Sequence, residues 1–331
     1  MTPSTQADGT LFVLNEGSFQ FPSATLSVYN PETNKTLNEA FLKANGMKLG
    51  DVALSMTITN DSTGWVVVNN SNVVFAINPI TQKEKGRITG LTSPRYFHQV
   101  NEKKAYITQM YDNRIAIVDP STYSITGYIE VPGMEAVSGS TEQMVAYGDY
   151  VFCNCWSYQK NIVKIDTRTD QVVASKEVGI QPRYIALDCH DKLWVLTDGG
   201  GWDKNPIGYE APTLVKIDPK TFNIEKKYEF ELGDYCSKLC LNGKGDALYW
   251  IKGDVWKMDV NADALPTEPY IKSTGSVNYG LTIAPQSSEV YVADAIDYSQ
   301  NGVVYRYSPD GKLLDQFTVG INPGGFCWYR P

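Results

Sequence analysis

The chain carries little of what acid–base or metal chemistry ordinarily uses. Two histidines occur in 331 residues. His98 sits inside the β-rich run PRYFHQV and His190 in the polar turn DCHDK, so no Ser-His-Asp arrangement follows from the strand register. The six cysteines, Cys153, Cys155, Cys189, Cys236, Cys240 and Cys327, include no CxxC pair and have no histidine at ligand spacing, which argues against zinc. Cys153 and Cys155 are two apart in a strand-like run and face the same side, a geometry that suits packing better than a mutual disulfide. The glycine runs at 199–201 and 324–325 lack the strand-to-helix setting and the Lys-Ser/Thr of a phosphate loop. What remains is a set of carboxylates, Glu16, Asp112, Asp198, Asp203, Glu210 and Asp297, which can contact a ligand, hold calcium or form exposed pairs. Asp294 and Asp297 in YVADAIDYSQNG do not match the spaced ladder of an EF-hand loop. The expectation is a protein with no catalytic residue, no catalytic cofactor and no metal.

Composition points the same way. With 29 basic and 37 acidic side chains the net charge is −8, the wrong sign for holding a nucleic-acid backbone. Aromatic residues reach 12%, led by 21 tyrosines and 7 tryptophans. Such a stock favours binding by stacking over proton transfer. No run of 18 apolar residues appears, and the first ten residues have neither the basic nor the apolar stretch of a signal peptide. Residues 1–10 are therefore read as disordered or linker, and residues 11–331 as one domain.

These residues must be positioned by strands. One pattern recurs along the chain: a β-rich run, a polar or aromatic insert, a second run ending in a tight turn, then a third. The turns begin at Asn30, Asn78, Asp119, Asp166, Asp218, Asp259 and Ser308, at intervals of 41 to 52 residues. Four-stranded blades of β-propellers repeat at about 40–45 residues. Asx followed by Pro and Ser or Thr suits the turn, because the side chain satisfies the turn backbone and Pro fixes φ. The expected fold is all-β: a seven-bladed β-propeller of four-stranded blades. LFVLNEG is the second strand of the first blade and the C-terminal GGFCWY its inner strand, so the two chain ends close the fold and remove two unprotected edges.

This register sorts the connections by face. One side receives short hydrophilic turns such as NEKK before Ala105 and NGKGD before Ala247. The other receives long inserts, and there the candidate ligand-binding residues collect. The first blade contributes Asn15, Phe19 and Phe21; the second Asn69 and Asn70; the third Gln109, Tyr111 and Asn113. The fourth contributes Trp156, Tyr158 and Gln159, the fifth Trp202 and Tyr209, and the later inserts Tyr235, Tyr279 and Tyr298. Rings and amides together suit a large neutral ligand, with flat apolar area for stacking and amides bonding in both directions. Trp156 and Tyr209 can equally plug their loops against the blades. Arg95 and Arg183 follow Pro at equivalent places, SPRY and QPRY, and are read as bridges between neighbouring blades.

The segments NEGSFQ, NGMKLGDVALSM, VVNNSNVVFAI, NCWSYQKNIVKIDT, GIQPRYIALD and GINPGGFCWY resemble the YncE-like seven-bladed propellers of gut Bacteroidetes. More narrowly they resemble the BtuG-type surface lipoproteins among them. That resemblance implies capture of cobalamin (vitamin B12) or a related corrinoid, and delivery to a BtuB-type, TonB-dependent outer-membrane transporter. It implies an outer-membrane, surface-exposed location, held only by an N-terminal lipid anchor on a signal removed before Met1. Two alternatives stand beside it: a calcium-dependent lactonase- or lyase-like propeller enzyme, and a surface adhesion or glycan-binding propeller.

Overall fold

The computed structural model describes residues 8–60 and 62–330. The described chain forms two compact units. One comprises the residues up to Thr89, Asn242–Lys244 and the residues from Tyr270; the other comprises Gly90–Leu241 and Gly245–Pro269.

The first unit holds three four-stranded antiparallel sheets. In the first, Pro323–Tyr329 pairs with Thr10–Asn15, followed by Thr25–Asn30 and the short Lys35–Leu37. The pairing runs from Thr10 opposite Tyr329 to Asn15 opposite Pro323, so the C-terminal segment is the inner strand of the first blade, as the register requires. The other two sheets run Ala53–Ile58 to Glu84–Ile88 and Asn278–Ile283 to Leu313–Ile321. Residues 1–7, most of the stretch read as linker, lie outside the described residues. Asp8 accepts the backbone N–H groups of Gln286 and Ser287 at 2.7 and 2.9 Å, and Thr10 already opens a strand.

The second unit holds four sheets. Three are four-stranded: Pro94–Asn101 to Ser124–Glu130, Thr141–Tyr147 to Gln171–Glu177, and Pro182–Leu187 to Asn223–Glu229. The fourth registers three strands, Ser237–Leu241, Ala247–Lys252 and Asp254–Asp259. The residues after it run as turns and bends to Ile271, a single bridge residue. Seven consecutive antiparallel sheets in this strand order are the blades of a β-propeller.

Burial explains why the strands look as they do. Second strands such as Gly64–Val68, Leu193–Thr197 and Val290–Asp294 are buried at every position. Both of their faces are covered, so they read as unbroken apolar runs. The outer strands Gln171–Glu177 and Asn223–Glu229 alternate exposed and partly buried residues, because one face meets water. The repeated turns are closed by the side chains that mark them: Asn30 accepts from Glu32 and Thr33, Asn78 from Ile80 and Thr81, Asp218 from Lys220 and Thr221. Four residues beyond Asn30, Asn78, Asp119, Asp166 and Asp218, the residues Asn34, Gln82, Tyr123, Asp170 and Phe222 adopt left-handed φ of 52 to 59°, which lets the chain double back into the outer strand.

Candidate functional site

The arrangement with the most unusual electrostatics lies in the second unit. Arg95 enters on the strand Pro94–Asn101, and Glu142 on Thr141–Tyr147 of the next sheet. Arg95 Nε lies 2.9 and 3.1 Å from the two Glu142 carboxylate oxygens, and Ser140 Oγ donates to the same carboxylate at 2.6 Å. Both charged groups are buried. Burial opposes the Arg95 charge, but the adjacent carboxylate more than compensates and raises its pKa above the ordinary arginine value. This is the bridge between blades that the repeated Pro-Arg suggests.

Arg183 behaves differently. Its guanidinium stacks over the Trp156 ring, 4.6 Å from the centroid, and lies 3.5 Å from the Tyr235 hydroxyl. Among the described residues it makes no ion pair within 4 Å. Burial again works against the charge, while Tyr184, Tyr235, Glu142 and Asp198 hold the pKa up. Trp156 is fixed from its other edge, where Nε1 donates to Asp198 Oδ2 at 2.8 Å. Asp198 in turn accepts from Gln181 Nε2 at 2.9 Å, and Gln181 Oε1 accepts from Asn205. The tryptophan is thus a rigid platform carrying a cation whose donors are mostly free. Gly199 lets this happen: it sits at φ 70°, and a Cβ there would meet the Glu210 carbonyl oxygen at 2.1 Å.

Exposed tyrosines lie on inserts of the same unit. Tyr158 is 39% exposed, Tyr235 60% and Tyr111 54%. Tyr111 and Tyr158 are left-handed, with φ of 60° and 54°, a conformation that costs a bulky side chain of order 1–3 kcal/mol and is kept where surrounding structure imposes it. Trp202 is also exposed, on the insert that carries Asn205; Tyr209 is half-buried in that insert, its hydroxyl close to Gly233. Asn113 and Gln159 are partly buried, and their carbonyls accept the N–H groups of Val131 and Gln181. Gln109 is 1% exposed and clamps its own loop, accepting from Thr92 and donating to the Arg114 carbonyl. Its side chain holds an insert in place.

The inserts of the first unit form a second cluster, built on carboxylates. Glu16 accepts from the Tyr279 hydroxyl at 2.8 Å, and Tyr279 meets Tyr298 edge to face at 5.7 Å. Asp51 accepts from the Gln20 backbone and from Asn70 Nδ2. Asp294 accepts three backbone N–H groups, from Ser276, Val277 and Ile296, at 2.8 Å. Phe19, Phe21 and Tyr298 are exposed at 65, 64 and 52%. Asn15 is fully buried and donates to Thr25 and Ser27, and Asn69 is buried within a short 3-10 turn. Both amides are buried.

The insert carboxylates are largely committed to partners within the protein. Asp112 pairs with Arg114, Glu210 accepts the Ile180 N–H, and Asp297 accepts from Ser299 and Gln300. No group of three or more His, Cys, Asp or Glu among the described residues is arranged to hold a metal ion. The six cysteines are free thiols, and burial pushes those of Cys155, Cys236, Cys240 and Cys327 up to about 12. Glu142 had no marker in the sequence, since its partner lies 47 residues away. The left-handed tyrosines likewise leave no trace in residue type.

A seven-bladed propeller with aromatic inserts is the class that the sheets and these clusters define. Solved structures share that fold. A candidate 6-phosphogluconolactonase of Bacteroides fragilis superposes with a TM-score of 0.73 at 14% identity, over 100% of this chain and 99% of that one. The periplasmic gluconolactonase of Pseudomonas aeruginosa gives 0.70 at 13% identity, over 97% and 99%. A protein of Lactobacillus plantarum gives 0.70 at 10% identity, again over 97% and 99%. At such identities the likeness is one of fold. No curated protein matches the chain. Residues 8–319 match the family described as a domain of unknown function, DUF5074, and the chain belongs to that family.

Proposed function

We propose that the protein is a binding protein for corrinoids, with cobalamin as the representative ligand, and that the surface around Trp156, Arg183, Tyr158 and Tyr235 receives it. The observation that carries this reading is the guanidinium of Arg183, stacked on an anchored tryptophan and without a carboxylate partner. A corrinoid presents a broad plate fringed by amides and a nucleotide tail with one phosphodiester. An aromatic platform serves the plate, tyrosine hydroxyls serve the amides, and a planar fork of free N–H donors serves the phosphodiester. A rigid platform also loses little conformational entropy on association, which favours capture from dilute medium. With this reading goes the role of a lipid-anchored receptor at the outer-membrane surface that hands its cargo to a BtuB-type, TonB-dependent transporter. Both parts rest on the sequence resemblance, and intact-mass analysis of native material without lipid would refute the anchor.

Calorimetric titration with cyanocobalamin tests the core of the proposal. Binding is expected. Arg183→Ala should weaken it at least tenfold, and the Trp156→Ala/Tyr158→Ala pair by about 2 kcal/mol or more, as buried aromatic anchors do. Absence of heat at micromolar protein would overturn it.

A second reading, lactone hydrolysis, is favoured by the fold shared with a gluconolactonase. Turnover of gluconolactone that a chelator abolishes would select it.

A further inference from the structure

We propose a second, independent ligand site between the fifth and sixth blades, one that takes a neutral polyhydroxylated ring of the pyranose class. It does not rest on the corrinoid reading and shares no residue with the Trp156 platform. The site is a cavity of 390 Å³ whose lining includes Glu229, Phe230, Glu231, Trp250, Lys252 and Trp256. That volume falls within the range of small-molecule sites, about 300–1,000 Å³.

Three features define what fits. Trp250 is fully buried, lines the cavity, and its Nε1–H has no acceptor among the described residues. A buried donor without a partner is unfavourable, so an acceptor that reaches it by way of the cavity would be gained at a position the folded chain leaves unsatisfied. The carboxylates of Glu229 and Glu231 make no ion pair or hydrogen bond to another described residue, whereas Asp234 is held by Lys252 Nζ at 3.1 Å and by the Glu231 N–H at 3.0 Å. The free carboxylates call for donors. The walls between are aromatic: Phe230 meets Trp250 edge to face at 5.9 Å, and Trp256 is steadied by its Nε1 bond to the Lys252 carbonyl and by the Lys252 ammonium 4.8 Å from its ring.

A simple cation would satisfy the carboxylates and leave the indole donor bare. A simple anion would satisfy the indole and meet two negative charges. Hydroxyl groups on adjacent carbons of one ring accept from the indole, donate to the carboxylates, and turn an apolar C–H face to Trp256 and Phe230.

The full chain is titrated with D-glucose, D-galactose, D-mannose, N-acetyl-D-glucosamine and lactose, and separately with benzylamine and benzoate, following tryptophan fluorescence and saturation-transfer NMR. At least one saccharide should saturate at millimolar concentration or below. Trp250→Phe removes the N–H and keeps a smaller aromatic side chain at a buried position, so it should lower the melting temperature modestly and, with circular dichroism showing the variant still folded, reduce that affinity at least tenfold. Trp256→Ala and Glu231→Gln should reduce it as well, and Arg183→Ala should not. The proposal is overturned if no saccharide binds and the cavity is only a solvent-filled groove, if benzylamine or benzoate binds in place of saccharides, or if Trp250→Phe binds as the native chain does.

Discussion

The two insert clusters stand on the same kind of scaffold and solve the burial of charge in opposite ways. In the unit containing Glu16, Asp51 and Asp294, charge is negative and is consumed locally, by backbone N–H groups, Asn70 and the Tyr279 hydroxyl. At the site containing Arg95 and Arg183, two cations lie near the buried carboxylates Glu142 and Asp198, and of the two arginines Arg95 pairs with a carboxylate while Arg183 forms no ion pair among the described residues. The chemistry of the groups explains the contrast. A loop is rich in N–H donors that a carboxylate can accept, so an aspartate shapes its own turn. A guanidinium has five donors and no acceptor, so it must find a carboxylate in another strand or keep donors in reserve. The carboxylates therefore build loops, and Arg183 is the group left available for a ligand.

The largest test of this contrast concerns the frame common to both. Deleting 324–331 removes the strand paired along Thr10–Asn15 and leaves an apolar edge open. The expected result is loss of a single cooperative unfolding transition by circular dichroism; a variant that melts as the full chain does would show that the terminal strand is dispensable. Next comes the buried pair. Glu142→Leu leaves Arg95 charged and buried, which should cost about 3–5 kcal/mol in urea denaturation. Glu16→Ala in the other cluster removes one partly buried acceptor and should cost about 1 kcal/mol. Equal losses would erase the distinction drawn between the clusters.

Most of the frame could be read from residue types, because the residues that mark the repeat also make it. Asn30, Asn78 and Asp218 are legible since their side chains close the turns they announce. Strands such as Leu193–Thr197 are legible because a strand buried on both faces must be apolar throughout. The site was legible only in outline. Asn15 and Gln109 looked like surface amides, yet the last residue of a second strand turns inward and bonds to its neighbours. Tyr111 and Tyr158 could be placed on inserts, but their left-handed backbone is set by surrounding contacts and not by tyrosine itself. Glu142 lay in a polar segment that could have been solvated; only the packing of two sheets brings it to Arg95. The sixth sheet kept three regular strands where the repeat anticipated four, since the segment after Asp259, which carries Ala262, Ala264, Pro266 and Pro269, offers no β-branched alternation.

A pH titration sharpens the comparison from the cationic side. His98 is mostly enclosed, and burial lowers its pKa from 6.5 to about 4. The unfolded chain takes up this proton near pH 6.5 and the folded one only near pH 4. Stability is therefore fully present above pH 6.5 and falls as pH drops from 6.5 to about 4, by up to about 3 kcal/mol, below which the effect levels off. In His98→Gln that component of the slope should vanish. If the variant and the native chain lose stability in parallel over this window, His98 is not the source of the acid sensitivity.

The smallest expected effect bears most directly on what the left-handed tyrosines are for. Tyr158 holds φ at 54° with its ring 39% exposed, so packing gains little from it while the backbone carries a penalty that glycine does not. Tyr158→Gly should leave stability unchanged or raise it by up to about 1 kcal/mol, glycine's greater freedom in the unfolded chain offsetting part of the relief. The same substitution should weaken cyanocobalamin binding. Stability held and affinity lost together identify a strained residue kept for contact. A loss of stability with unaltered affinity would mean that the ring braces its loop, and would return Tyr158 to the class of residues, like Gln109, that hold the inserts in place.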